Sequence, residues 1–502
     1  MTKAKRPGPD KNEKAPMATT PKAPFHRVSE KKRPQGRTAA QEAVNAPRRT
    51  PPSSNRSTIQ SEKRPWDRPA NPKASTTEHG LGARISRRAA DRLRAGHVWV
   101  YASDVESLNA GEGHVPALLP VADSRGLLLG TALYSPTSQI ALRLVSREGV
   151  GEAKWLTLLD KRLRGAIARR KSMLTEATDA CRLCFSEADE LPGLVVDKYG
   201  ELIILQLLTK GLDSAAVRDV CVRVLREELE PAAIVERPDP RVRELEGLSA
   251  PAAEPLHQRD AESAPKRRGS NATANDEATI AGLSSSFRLN GLVFHFDADS
   301  GQKTGAFLDQ RANYKAARDW AMKLGSTRRA LDVCCYQGGF ALHLAEVCQK
   351  VTGIDASRAS LEVAEQNLVA NRERMKADVD WVAGDAFEIL RDWSDGGEKY
   401  DTIVLDPPAF AKTQRAVEGA LRGYKELNLR ALKMIRPGGL LVTCSCSHHV
   451  GWKDLVGAVA AAAADAHRRV RLLERRGAAL DHPVVLNLPE TEYLKCLVLE
   501  VE

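Results

Sequence analysis

The chain has 502 residues, 42% of them hydrophobic, which is enough apolar side chain for two to four domains with cores and excludes a chain disordered throughout. Its formal charge of +10 suggests a general affinity for nucleic acid, but residues 1–80 alone hold 18 Lys and Arg against 7 Asp and Glu, leaving 57 basic and 58 acidic groups elsewhere. The basic excess belongs to a tail, so net charge says little about the chemistry of the folded body.

That tail carries 12 of the 27 prolines and basic patches such as Lys31-Lys32-Arg33 and Arg48-Arg49. Disorder is expected over 1–80, as a solvated arm with at most weak attraction to RNA phosphates. It lacks the apolar core of a secretory signal, and no later stretch reaches the roughly 18 to 20 apolar residues of a bilayer span. A soluble, cytoplasmic protein is expected. Nine cysteines, an odd number in a long chain, predict reduced thiols. Cys181 and Cys184 form a CxxC with no second pair or nearby His, so no metal site is expected.

Residues 81–152 read as a small β-rich domain, with short strands at Ala83–Ser86, His97–Tyr101, Ala117–Val121 and Leu127–Tyr134 broken by Gly and Pro. Residues 153–299 read as a central α+β domain. It opens on a helix with Trp155, Leu159, Leu163 and Ile167 at helical spacing. A hairpin of Gly193–Asp197 and Leu202–Leu207 turns at Gly200, and a helix over 213–229 and a strand at Ala233–Glu236 follow. Residues 250–280, rich in Ala, Pro, Ser, Asn and charge, read as a flexible insertion, and a hairpin from Phe287 to Phe296 leads into the last domain. Over 300–502, apolar strands (330–335, 350–354, 379–383, 402–405, 439–444) alternate with amphipathic helices, predicting a mostly parallel, Rossmann-like α/β sheet with its ligand at the carboxyl ends of the strands.

The first of these strands ends Leu331-Asp332-Val333 and runs through Tyr336 into Gly338-Gly339, where glycine lets the backbone approach a ligand. The second ends at Asp355, an acid able to accept from both ribose hydroxyls, and the third at Asp385, able to hold an adenine amino group with Phe387 packed on the ring. Each acid can equally be a helix cap. The GxGxxG and GxxxxGK[ST] loops are missing, so the combination points to S-adenosylmethionine, whose sulfonium needs no phosphate cradle.

On the reaction side, Asp406 precedes Pro407-Pro408 at a strand end, and Cys446 follows the next strand in Thr443-Cys444-Ser445-Cys446-Ser447. The neighbouring serines and His448-His449 predict a polar, partly exposed place for the thiol, although a free Cys is ordinarily an inert buried one. A thiol is needed to methylate carbon 5 of a pyrimidine, which becomes nucleophilic only after a nucleophile adds at carbon 6. Cys446 would form that bond and Asp406 would hydrogen-bond the base at N3. Cys444 or water would take the C5 proton, and His448 or His449, if adjacent, would lower the thiol pKa.

These residues resemble the RlmI-type large-subunit ribosomal RNA methyltransferases that make 5-methylcytidine, over about residues 81–502. The resemblance rests on Gly301–Arg311 (GQKTGAFLDQR), Tyr336–Phe340 (YQGGF), Asp406–Phe410 (DPPAF), Arg422–Lys425 (RGYK), the Cys446 segment, Asp481–Val484 (DHPV) and Glu492–Lys495 (EYLK). It implies a PUA RNA-binding domain, a central β-rich domain and a Rossmann-like methyltransferase. Cys446 would be the nucleophile and Asp406 the catalytic-loop acid. The cofactor would be held by Gln310, Asp332, Tyr336, Gly338, Gly339, Asp355, Asp385 and Asp406, with Gln310 and Arg311 in a segment covering its site. Ala409 stands where other RNA cytosine-C5 enzymes place a second Cys, which the RlmI type also lacks. The implied partner is 23S rRNA or a large-subunit precursor, with monomer and homodimer both open. The rivals are an N-methyltransferase using the Asp-Pro-Pro loop on an exocyclic amine or guanine N7, and a non-catalytic RNA-binding assembly protein.

Overall fold

The computed structural model describes residues 80–111, 117–237, 239–249, 254–259, 284–297, 305–411 and 413–502. The tail up to residue 79, most of the 250–280 insertion and Gly301–Thr304 lie outside the described residues. No helix among the described residues is long and apolar enough to cross a membrane.

Nearest the N-terminus is a six-stranded sheet in the order Trp99–Val100, Leu142–Ser146, Leu128–Tyr134, Leu118–Asp123, Gly82–Ile85, Val105–Asn109. Alternation builds it: Leu119 and Val121 point inward from their strand against Ile85 and Leu142. The short helix Arg87–Arg94 starts where the Ser86 hydroxyl accepts from the Ala89 amide, and it closes the core with Ala89, Ala90 and Leu93. Val105–Asn109 was not foreseen in sequence because, as an exposed edge strand, it carries no apolar face.

The central sheet has five strands, in the order His257–Gln258, Ala233–Glu236, Leu202–Leu207, Leu194–Tyr199, Ala180–Phe185. The CxxC lies on the last of these. Residues three apart face opposite ways in a regular strand, but a bulge between Arg182 and Cys184 turns both thiols into the apolar core beside Leu159 and Leu163. The hairpin of Ser284–Leu289 and Leu292–Asp297 mortars this domain to the next. Phe296 stacks on Tyr199 at 4.3 Å between ring centroids, in one cluster with Tyr314 and Phe340.

The C-terminal sheet comprises β1 (Arg329–Val333), β2 (Lys350–Asp355), β3 (Asp378–Ala383), β4 (Tyr400–Leu405), β5 (Ile435–Ser445), β6 (Val470–Arg476) and β7 (Lys495–Val501). Its helices are α1 (Arg311–Leu324), α2 (Gly339–Ala345), α3 (Arg358–Ala370), α4 (Ala386–Asp395), α5 (Val417–Met434) and α6 (Trp452–Asp465). The strand order is β3-β2-β1-β4-β5-β7-β6, with β1 to β5 parallel and β7 antiparallel between β5 and β6. The chain reverses its winding at β1/β4, the switch point where α/β sheets bind ligands. β6, a charged edge strand reading VRLLERR, and β7 were not foreseen.

A buried polar joint holds the central domain on this sheet. The Asp481 carboxylate accepts from the Arg182 amide (2.9 Å) and from Arg311 (3.0 Å), while its backbone carbonyl accepts from Arg170 (3.0 Å). Arg170 in turn grips Asp189 through two bonds of 2.8 Å. Burial alone would push the Asp481 carboxyl up, but His482, Arg311 and the Arg182 amide bring it down to about 2 from an ordinary 3.8. A carboxylate depressed in the folded state stabilises it fully above its unfolded value, and that stability is lost as pH falls toward about 2. Asp481→Asn is therefore expected to lower stability at pH 7 by on the order of 2 kcal/mol and to flatten the acid limb between pH 4 and 2. Urea unfolding across that range checks this; identical midpoints for variant and parent at pH 7 would refute it.

Candidate active site

The carboxyl ends of β1 to β5 open into one cavity of about 430 Å³. After β1 the backbone turns through three positive φ values, at Cys334 (62°), Tyr336 (50°) and Gly338 (85°). For the two non-glycine residues this conformation costs on the order of 1 kcal/mol each. Asp355 at the end of β2 helps hold it: one carboxylate oxygen accepts from the Tyr336 amide (2.9 Å) and the other from the Ser357 amide (2.8 Å), while the Cys335 amide donates to the Ile354 carbonyl (2.9 Å). Asp355, Tyr336 and Gly339 all line the cavity.

Two of the expected cofactor contacts are corrected. Gly338 does not line the cavity; its positive φ and its packing, with Trp381 only 3.0 Å from where a Cβ would stand, are what require glycine. Gly339 does line it, and a Cβ there would lie 2.5 Å from the Tyr314 ring. Asp332 is fully buried behind the site rather than in it. Its Oδ2 accepts from the Ala341 amide in the first turn of α2 (2.8 Å), and its Oδ1 has no partner among the described residues. Burial pushes this carboxyl well above the ordinary range against the pull of the Ala341 amide, and the charges of Asp406 and Asp355 raise it further.

Asp385 both lines the cavity and caps α4, its Oδ1 accepting from the Phe387 (2.8 Å) and Glu388 (3.1 Å) amides. Phe387 faces the same space, 5.9 Å from the Phe410 ring. At the end of β4, Asp406 Oδ1 accepts from the Gln310 side-chain amide (2.9 Å). Gln310 Oε1 accepts from Asn313 (2.6 Å), whose Oδ1 accepts from Arg476 of β6 (2.9 Å). Because Arg476 can only donate, this chain orients both amides so that an NH₂ faces Asp406. Arg311, in the segment expected to cover the cofactor site, points into the Asp481 joint.

Cys446 lines the cavity, half-buried, with its Sγ 4.0 Å from the Pro407 carbonyl. The serines that flank it, Ser445 and Ser447, are fully buried, bonded to the Tyr424 hydroxyl at 2.8 and 3.0 Å, and Ser447 also accepts from the Ala411 amide. Tyr424 thus clamps the Cys446 turn to the Asp406 loop. Cys444 is fully buried and does not line the cavity, and burial with the neighbouring Cys496 raises its thiol well above the ordinary value. His448 is exposed, its ring 5.6 Å from Tyr493. Sequence reasoning missed Asp309, which lines the cavity and accepts from the Tyr493 hydroxyl (2.5 Å), and Leu494. Their only signal was membership of the GQKTGAFLDQR and EYLK runs.

The burial that raises the Asp332 carboxyl makes a testable difference. The raised folded-state pKa of Asp332 means that stability falls as pH climbs from the ordinary carboxylate range through the raised value. Asp332→Asn, neutral and isosteric, is expected to keep thermal stability at neutral pH, whereas Asp332→Leu strands the Ala341 amide and should cost about 1–3 kcal/mol. If the Asn variant loses as much as the Leu variant, Asp332 is a buried carboxylate instead.

Comparison with known proteins follows this geometry closely. Residues 83–147 match the PUA-like domain and residues 283–485 match the S-adenosylmethionine-dependent methyltransferase family. The ribosomal RNA large subunit methyltransferase I of Photobacterium profundum is 32% identical over 405 residues, covering 80% of this chain and 95% of that protein. Its namesake in Tolumonas auensis is 34% identical over 407 residues, covering 80% and 94%. Among solved structures, the methyltransferase SMU.776 complexed with SAH shares the fold at a TM-score of 0.67 and 18% identity, over 84% of this chain and all of that one. The cavity fits S-adenosylmethionine, the cofactor of this domain. Acids stand at the ends of β2 and β3, apolar walls come from Ile354, Phe387 and Pro407, and the missing Cβ of Gly339 leaves room at the turn. The chain belongs to the ribosomal RNA large subunit methyltransferase I family.

Proposed function

We propose that this protein methylates carbon 5 of a cytidine in large-subunit (23S) ribosomal RNA, in the cytoplasm. The observation that carries the reading is that Cys446 and Asp406, on adjacent strand ends, open into the same cavity as the acids of the cofactor side. N-methylation would need no thiol there.

Asp355 would take the ribose hydroxyls, Asp385 and Phe387 the adenine, and Gln310, Tyr336, Gly339 and Asp406 the remainder of the cofactor. The bound cofactor supplies an electrophilic methyl group. Cys446, having lost its proton to solvent, forms a bond to C6 of the base. The C5–C6 π electrons are thereby made available at C5, with the charge drawn toward N3, to which Asp406, entering the step in its protonated form, donates a hydrogen bond. After C5 has taken the methyl group its proton leaves, the C6–S bond breaks and Cys446 returns as thiolate. Water is the simplest acceptor for that proton, given the burial of Cys444.

The base must be unpaired or turned out of its stack to reach this cavity. The PUA-like domain at 83–147 supports a single-stranded or loop RNA reader, and the names of the relatives support a ribosomal substrate.

RNA carrying 5-fluorocytidine is expected to trap a covalent adduct, because fluorine at C5 cannot leave as the proton does. Cys446→Ala should abolish both adduct and methyl transfer while keeping cofactor affinity, and Asp355→Ala should weaken binding of the cofactor product by calorimetry. An active enzyme that forms no adduct, or a Cys446→Ala variant that still methylates, would instead favour N-methylation through the Asp406-Pro407-Pro408 loop.

A further inference from the structure

We propose that Lys495 is a positioning residue whose buried ammonium holds Cys446 as a thiolate; the proposal rests on the reading of Cys446 as nucleophile. Lys495 opens β7 directly opposite Ser445 in the β5–β7 register, so its side chain starts beside the strand that delivers Cys446. It is 2% exposed, and its Nζ donates to the carbonyls of Ser447 (2.8 Å) and Tyr493 (2.7 Å). Both partners are neutral. Among the described residues no carboxylate bonds to the ammonium directly, and a buried cation so placed is costly.

The charged and titratable groups around it come from several elements. Glu492 lies just before β7, Asp454 in the first turn of α6, and Cys446 on the turn after β5. Asp406 lines the cavity with the thiol and Tyr424 feels both, while His448, two residues after Cys446, has its ring 5.6 Å from that of Tyr493, whose carbonyl Lys495 holds. Burial draws the Lys495 pKa down, and a charge on Cys446 leads the effects that hold it up, ahead of Glu492 and Asp454. A cation seated on the carbonyl of Ser447, the residue next to Cys446, favours the thiolate, which is the attacking species. The thiol proton passes to solvent before RNA binds, and the ammonium keeps its own three protons throughout.

The test is the pH profile of Cys446 alkylation by iodoacetamide, read by mass spectrometry of the Cys446 peptide in the full chain. The parent is expected to alkylate with a midpoint below the ordinary thiol range near ~8.5. Lys495→Met should raise that midpoint by at least about one unit, an approximately tenfold lower rate at neutral pH, and Lys495→Arg should restore it. Single-turnover methyl transfer should show the same shift, with kcat recovering at high pH and affinity for S-adenosylhomocysteine unchanged. If Lys495→Met fails to bind S-adenosylhomocysteine, Lys495→Gln keeps hydrogen-bond donors for the two carbonyls without the charge, and is expected to give the raised midpoint. An unchanged alkylation profile in a folded Met or Gln variant overturns the proposal. A parent that forms no 5-fluorocytidine adduct overturns the nucleophile reading instead, because alkylation reports the Lys495–Cys446 coupling without any RNA.

Discussion

One buried carboxylate ties this molecule together. Asp481 is fully enclosed, yet it meets Arg182 and Arg170 of the central domain and Arg311 at the start of α1. Three guanidinium groups buried at one joint would be prohibitive without matched acids, and Asp189, Asp197 and Asp481 supply them. Removing a partner would leave a charge in low dielectric, so the geometry of the joint is over-determined.

The segment carrying Asp481 then threads the whole molecule. The Gly477 carbonyl accepts from Asn313, the Ala479 amide donates to the Asp309 carbonyl, and Glu490 reaches His97 of the N-terminal domain at 3.3 Å. It ends by delivering Leu494 to the cavity and Lys495 to the Cys446 turn. A joint formed about a dozen residues upstream thus sets where the neighbours of Cys446 stand.

Charge is distributed across the site by the same rule of matched partners. Asp355, Asp385 and Asp406 face a cavity with apolar walls, an environment that favours a sulfonium over a phosphate-bearing cofactor. Asp332, fully buried, has its carboxyl raised well above the ordinary range by that burial and works as scaffold for α2. The relay from Arg476 through Asn313 and Gln310 aims a donor at Asp406, and the Tyr424 hydroxyl locks both serines beside Cys446. The strained turn after β1 persists because Asp355 and Ile354 grip it from β2.

Sequence alone determined the parallel α/β order of the last domain, the acids at its strand ends and the placement of Asp406 and Cys446 after consecutive parallel strands. These are local properties, since apolar runs of strand length and the residue that ends each run lie together in the chain. Tertiary structure decided what each side chain faces. Asp332 and Asp355 both end strands, but only packing buries one and opens the other; Gln310 and Arg311 are adjacent, yet one meets Asp406 and the other the Asp481 joint. A bulge turned both thiols of the CxxC into one core, and the serines that flank Cys446 are buried against the hydroxyl of Tyr424, some twenty residues earlier in the chain. Burial, and with it the protonation state and reach of every group here, depends on partners distant in the chain, as the pairing of Lys495 with the Cys446 turn shows.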